Sequence, residues 1–204
     1  MSAIEEYGKE GYGKFFKNVF GMLSSIILLA LSALFLVIKP FIEFYVGDAF
    51  SESWRYAIFL FLAVAFRSFA SFFGVNYTAS KRTVGAFFTS ALAAGVNVGT
   101  LLALIPVLKI QAASLSSLIA YFIMWIVRIF HTRKLVRIEL DINHITLSLI
   151  VVFAQALLLL TLEDNALLYT LQIALLTALV FLQRKYLSRA VRFGKELIKA
   201  RKKG

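Results

Sequence analysis

The sequence predicts an all-α membrane protein in which six transmembrane helices form one bundle. Six apolar, charge-poor segments are each long enough to cross the roughly 30 Å hydrocarbon core of a bilayer as a helix. Hydrophobic residues make up 60% of the 204 residues and charged residues only 16%, whereas ordinary soluble domains contain about 25% charged residues. The chain contains no cysteine, so it has neither a disulfide framework nor a thiol nucleophile.

The six predicted spans account for most of the chain. They cover residues 19–46, 56–77, 84–108, 110–127, 145–162 and 166–183. Residues 1–18 mix acids, bases, glycines and aromatics, and we expect a short amphipathic lead-in lying at the cytoplasmic surface. Residues 184–204 form a mostly basic tail, which favours a helix along the anionic inner leaflet. No short apolar core with a small-residue cleavage site is present, so a cleaved signal peptide is not predicted.

The basic residues alternate between the two sides of the predicted bundle. Of the 22 Lys and Arg residues, three precede the first span, two lie between the second and third, four follow the fourth and nine follow the sixth. Only Lys39, Arg55 and Lys109 fall on the other side. Because basic residues favour the cytoplasmic face of short loops, both termini are predicted to be cytoplasmic.

The distribution of charge argues against several classes of function. The net charge of +11 is concentrated beside the spans, which indicates contact with lipid headgroups rather than with nucleic acid. All 11 acids lie outside the span interiors, apart from Glu43 near the end of the first, so paired catalytic carboxylates are not expected. His131 and His144 are thirteen residues apart, which is not a metal-ligand spacing. The sequence therefore predicts neither an enzyme nor a bound cofactor or metal.

Arg67 is the most informative polar residue within a span. It lies halfway along residues 56–77, near the bilayer midplane, where a lipid-facing charge costs about 2.5–3.5 kcal/mol or more. Helical periodicity places Arg67, Ser71 and Thr78 on one small, polar face. The opposite face carries the aromatic residues Phe66, Phe69 and Phe73. This pattern favours a cationic site in a cavity that attracts an anionic group, and the alternative is an arginine that snorkels or pairs with a neighbouring helix.

Further polar and small residues within the spans indicate helix contacts or a substrate path. Ala91, Gly95 and Gly99 repeat at four-residue spacing, which predicts the close approach of another helix. Asn97 in the third span and Gln155 in the fifth lie near mid-span, where interhelical hydrogen bonds or cavity water would satisfy them. Together with Arg67, Asn97 and Gln155 place polar groups at one depth in three spans, as a substrate path would require.

Residues 76–134 contain a series of short motifs in a characteristic order. These are Lys81-Arg82, Asn97, Leu104-Ile105-Pro106, Ala112-Ala113-Ser114, Tyr121 and Arg128. In this order they resemble the C-terminal half of polysaccharide biosynthesis proteins, the flippases of O-antigen and other lipid-linked oligosaccharides. Their superfamily also includes multidrug and toxin extrusion transporters and the lipid II flippase. Such flippases have two related lobes of about six helices each, so the resemblance implies that this chain is one lobe.

The resemblance implies a transport function in polysaccharide assembly. The substrate would be a polyprenyl-diphosphate-linked oligosaccharide that crosses the bacterial inner membrane for O-antigen, capsule or exopolysaccharide. Candidate residues for the substrate path are Arg67, Ser71, Thr78, Asn97 and Gln155. A second six-helix lobe, from another chain or a second copy, would complete the transporter. Two alternatives are a non-transporting accessory protein of polysaccharide assembly and a drug-efflux exporter, for which we would expect an acid inside a span.

Overall fold

The computed structural model contains six α-helices and describes residues 3–46, 50–135 and 138–201. Side chains are described for residues 11–46, 50–135 and 138–195. The helices are α1 (Ala3–Tyr45), α2 (Ser53–Ala79), α3 (Val84–Leu108), α4 (Gln111–Arg133), α5 (Ile142–Thr161) and α6 (Ala166–Arg201). Each contains a stretch that is long and apolar enough to cross a membrane. The predicted all-α fold with six membrane-spanning helices is therefore confirmed, and the chain is a multi-pass membrane protein.

The first and last helices extend well beyond their predicted spans. α1 contains 43 residues and α6 contains 36, so at about 1.5 Å per residue each is longer than the roughly 30 Å hydrocarbon core. The predicted lead-in is not a separate surface element, because it continues into α1 and its Tyr12 and Phe16 are buried. Tyr12 donates a 2.7 Å hydrogen bond to Oδ1 of Asn76 on α2. The tail likewise continues α6 as far as Arg201, and residues 202–204 lie outside the described residues.

The helices group into two compact units. Unit 1 covers Met1–Phe16 and Val37–Glu139, and unit 2 covers Lys17–Leu36 and Leu140–Gly204. Unit 1 contains α2, α3 and α4, and its core is aromatic. The Trp125 ring on α4 lies 5.4 Å from the ring of Phe66 and 5.6 Å from that of Phe69, both on α2. The aromatic face of α2 is thus the face that packs, because large rings gain most from burial against each other.

Unit 2 contains the middle of α1 together with α5 and α6, and buried amide side chains join these helices. Gln155 on α5 donates from Nε2 to the carbonyl of Gln172 on α6 at 3.3 Å, and Gln172 donates to the carbonyl of Gln155 at 2.9 Å. Ser25 on α1 donates to Oε1 of Gln183 on α6. Within an apolar bundle such bonds satisfy amide N–H donors that lipid cannot, whereas Oε1 of Gln155 and of Gln172 is buried without a described partner. Gln155 therefore holds α5 against α6.

Among the described residues, no helix makes the close contact predicted at the small-residue stripe of α3. Ala91, Gly95 and Gly99 are exposed, and a Cβ atom added to either glycine would meet no described neighbour within 4 Å. α3 instead packs on α4, with Thr89 and Ala93 as its buried residues. The approach of another helix stays a prediction, because four-residue spacing defines a helix face but does not specify what covers it.

Candidate functional site

A polar cavity of about 660 Å³ lies between α2, α3 and α4 of unit 1. α4 packs extensively on both α2 and α3, whereas α2 and α3 make few contacts with each other. The gap between α2 and α3 is therefore open, with α4 at its base. The polar residues of the cavity wall are Arg67, Ser71, Ser90, Asn97, Ser117, Tyr121 and Arg128. Three of the five predicted path residues are among them.

Arg67 lies on the cavity wall near the middle of α2. Its side chain is exposed, and its guanidinium carbon lies 5.7 Å from the centroid of the Tyr121 ring on α4. Among the described residues, no hydrogen bond to Arg67 is formed. A cation above an aromatic ring is oriented by the ring without losing its N–H donors. Arg67 can therefore offer these donors to a ligand in the cavity.

Arg128 is a second arginine on the same wall, and it is held in place. Only 6% of its surface is exposed. Its Nη1 donates to the carbonyl of Ala70 on α2 at 2.7 Å, its Nε to Oγ1 of Thr89 on α3 at 3.1 Å, and its Nη2 to Oγ of Ser90 at 3.0 Å. One guanidinium thus bridges α4 to both neighbouring helices. All three acceptors are uncharged, so these bonds do not neutralise its charge.

Gly74 allows the Arg128 guanidinium to lie against α2. A Cβ atom at Gly74 would come within 2.9 Å of Nη1 of Arg128, which is closer than packed carbon and nitrogen atoms normally lie. The polar face of α2 therefore has a glycine at the position where Arg128 of α4 packs against it. The missing side chain at Gly74 shapes this part of the cavity wall.

Asn97 connects the cavity walls on α3 and α4. Its Nδ2 donates to Oγ of Ser117 at 3.2 Å, and Ser117 in turn donates to the carbonyl of Ala113 at 2.9 Å. Asn97 is only partly buried and borders the cavity together with Ser71 of α2. The side chains of Asn97 and Ser71 are the kind that can form hydrogen bonds with a polar headgroup.

The electrostatics of the cavity favour an anion. Two arginines border it, and no described residue of its wall is acidic. Arginine binds phosphate and carboxylate oxygens through parallel N–H donors, and such bonds are strong where water is partly excluded. Among the described residues, no three His, Asp or Glu side chains are grouped so that they could hold a metal ion. The two arginines of this cavity are therefore suited to binding an anionic group.

Two predicted path residues lie elsewhere. Thr78 is exposed on α2 and is not part of the cavity wall. Gln155 belongs to unit 2, where it pairs with Gln172. Both were assigned to the substrate path from their helix face or from their depth in the span. Neither property specifies which helix lies next to them.

Arg128 was not predicted as a site residue, because its position after the fourth predicted span groups it with the cytoplasmic loop cations. The structure places it inside α4, which ends only at Arg133. Two signals in the sequence could have identified it. Apolar residues follow it at Ile129 and Phe130, and Tyr121 precedes it by seven residues, which is about two helical turns. An arginine that lies within an apolar stretch, about two helical turns from an aromatic residue of the cavity wall, is a candidate for the same helix face as that residue.

Substituting leucine for Gly74 should displace the Arg128 guanidinium and lower the melting temperature of the chain in detergent. The added side chain would overlap Nη1 of Arg128, and overpacking of this kind costs about 1–3 kcal/mol. Gly95→Leu is the matched control, because a Cβ atom at this open position of α3 has no described neighbour within 4 Å. Equal melting temperatures for the two variants would show that Gly74 does not hold Arg128 in place.

No protein family, curated protein or solved structure matches this chain. The resemblance to flippases is therefore carried by the motifs of residues 76–134 alone.

Proposed function

We propose that this chain is one lobe of a flippase that moves a polyprenyl-diphosphate-linked oligosaccharide across the bacterial inner membrane. The observation that carries the proposal is the presence of Arg67 and Arg128 on one polar cavity whose described wall contains no acid. The order of motifs in residues 76–134 supports the same function. The products would be O-antigen, capsule or exopolysaccharide.

The two arginines would have different roles in substrate binding. Arg67, which forms no hydrogen bond with a described residue, would bind the diphosphate oxygens through its parallel N–H donors. Arg128 is held by three neutral acceptors and would add a fixed positive potential. Ser71 and Asn97 would bind polar atoms of the headgroup, while the polyprenyl tail stays in the lipid. The open side of the cavity between α2 and α3 leaves room for a large headgroup.

Binding of a diphosphate lipid is the direct test of this proposal. The purified chain in nanodiscs should bind a polyprenyl diphosphate at least about tenfold more tightly than the polyprenol of the same length, because only the diphosphate can accept charged hydrogen bonds. A non-transporting accessory protein would show no such preference. Equal affinity for the two lipids would show that the cavity does not recognise the diphosphate.

A single lobe should bind this substrate without moving it across the membrane. Alternating access requires a second lobe or bundle against which the first can rock. When the chain is reconstituted as a monomer in liposomes, a fluorescent lipid-linked oligosaccharide should therefore stay in its original leaflet. Co-reconstitution with a separate six-helix lobe, or dimerisation, should permit transfer. Transfer by a verified monomer would contradict the proposal of an incomplete transporter.

Cysteine labelling tests the orientation that we propose, with both termini in the cytoplasm. Ser51, between α1 and α2, and Ser188, on α6, are exposed, and the absence of native cysteine removes the background. In intact cells Ser51→Cys should react with a membrane-impermeant thiol reagent, because the basic residues place this loop outside. Ser188→Cys should react only after the membrane is permeabilised. Labelling of Ser188→Cys alone in intact cells would reverse the orientation.

A further inference from the structure

Unit 2 contains a second positively charged cavity, of about 390 Å³, between α1 and α6. We call it the arginine groove, and its wall consists of Asn18, Met22, Arg189, Arg192 and Phe193. None of these residues is acidic. Arg189 donates from Nη1 to Oδ1 of Asn18, so the groove is spanned by a contact between the two helices. No described residue forms a hydrogen bond with Arg192, whose side chain is exposed.

The packing below the groove brings α1 and α6 close together. Gly21 has no side chain, and a Cβ atom there would overlap the Tyr186 ring. The Tyr186 ring is 1% exposed, and its hydroxyl donates to Oδ2 of Asp141 at 2.9 Å. The guanidinium carbon of Arg189 lies 5.8 Å from the centroid of this ring. The walls of the groove are therefore held by buried contacts, and among the described side chains the acid in this packing, Asp141, is hydrogen-bonded to Tyr186.

The position of the groove along the helices matches the level of lipid headgroups. Asn18 directly precedes the apolar segment of α1, and Arg189 lies six residues beyond residue 183, where the apolar segment of α6 ends. Six residues correspond to about 9 Å of helix, and the headgroup layer on each side of the core is about 5–8 Å thick. A long arginine side chain covers the difference by extending towards the interface. Met22, one turn further into the apolar segment of α1, adds an apolar contact on the bilayer side.

We propose that the arginine groove binds the phosphate of an anionic phospholipid headgroup. Arg189 and Arg192 are three residues apart on one helix face, so their guanidinium groups can both contact one phosphodiester. Met22 and Phe193 supply apolar surface for the glycerol and the first methylenes. The groove is distinct from the cavity of unit 1, and its role does not depend on the transport function proposed above. A lipid bound there would join α1 to α6.

Binding of a short-chain lipid tests this proposal on the whole chain. We would measure the affinity of the purified protein in detergent for dioctanoyl phosphatidylglycerol. The double variant Arg189→Gln/Arg192→Gln should bind it about tenfold or more weakly, because both charged donors are lost. Arg133→Gln/Lys134→Gln, which removes two exposed charges from the end of α4, is the matched control and should bind as the unmodified protein does.

Two comparisons distinguish a lipid site from a misfolded groove and from a site for free phosphate. The single variant Arg192→Gln, at an exposed side chain that forms no hydrogen bond with a described residue, should fold normally and still bind at least about threefold more weakly. Inorganic phosphate at millimolar concentration should not displace the lipid. Unchanged affinity in both groove variants would overturn the proposal, as would an equal loss in the control. Displacement by inorganic phosphate would show a site for free phosphate instead of a lipid.

Discussion

Replacing Arg67 with alanine should abolish complementation of a flippase-deficient strain while the chain still inserts and accumulates. The Arg67 side chain is exposed on the cavity wall and forms no hydrogen bond with a described residue. Its removal therefore leaves no buried partner unsatisfied. The loss of charged hydrogen bonds to a diphosphate should weaken binding by about tenfold to a hundredfold. In this assay the chain is supplied together with the lobe that completes it.

Two further variants show whether Arg67 acts through its charge and its shape. Arg67→Lys should retain partial activity, because a point charge still attracts phosphate but lacks the planar pair of donors. Arg55→Ala is the control, since Arg55 is an exposed arginine of the same helix outside the cavity wall. Normal complementation by Arg67→Ala at a normal protein level would remove Arg67 from the mechanism. A matching fall in accumulation and activity would instead indicate a structural role.

Replacing Arg128 with alanine should lower the folded fraction of the chain. Arg67→Ala, in contrast, should leave folding unchanged. Arg128 is buried between three helices and donates to Ala70, Thr89 and Ser90. Alanine would remove all three bonds and leave a space where α2, α3 and α4 meet. Loss of the charge relieves some desolvation, but this relief is small because Arg128 borders an open polar cavity. We expect a net loss of about 2–4 kcal/mol in the free energy of unfolding.

The measurement is the folded fraction of the purified chain during thermal or denaturant unfolding in detergent. Arg133→Ala is the matched control, because Arg133 is an exposed arginine in the last turn of the same helix and its removal should change stability little. Arg128→Lys should also be destabilised, since one ammonium group cannot reach three acceptors on two helices as the guanidinium does. Equal unfolding of Arg128→Ala and Arg133→Ala would show that the three hydrogen bonds contribute little to stability.

Several features of this protein follow from local sequence. The six spans could be predicted because crossing a bilayer depends on the length and hydrophobicity of a single segment. The two faces of α2 could be predicted because helical periodicity alone separates Arg67 and Ser71 from the buried ring of Phe69. Asn97 could be placed near the cavity because a polar side chain in mid-span requires a partner or water.

The tertiary structure alone decided which faces meet. Arg128 became the second cation of the cavity because α4 packs between α2 and α3 and the missing side chain of Gly74 leaves room for its guanidinium. Gln155 was separated from the cavity because its partner is Gln172 in unit 2. Gly95 has no described neighbour within 4 Å of its Cβ position, because α3 packs its opposite face on α4. Each outcome depends on contacts between residues far apart in the chain, whereas hydrophobicity and spacing report only what lies along one helix.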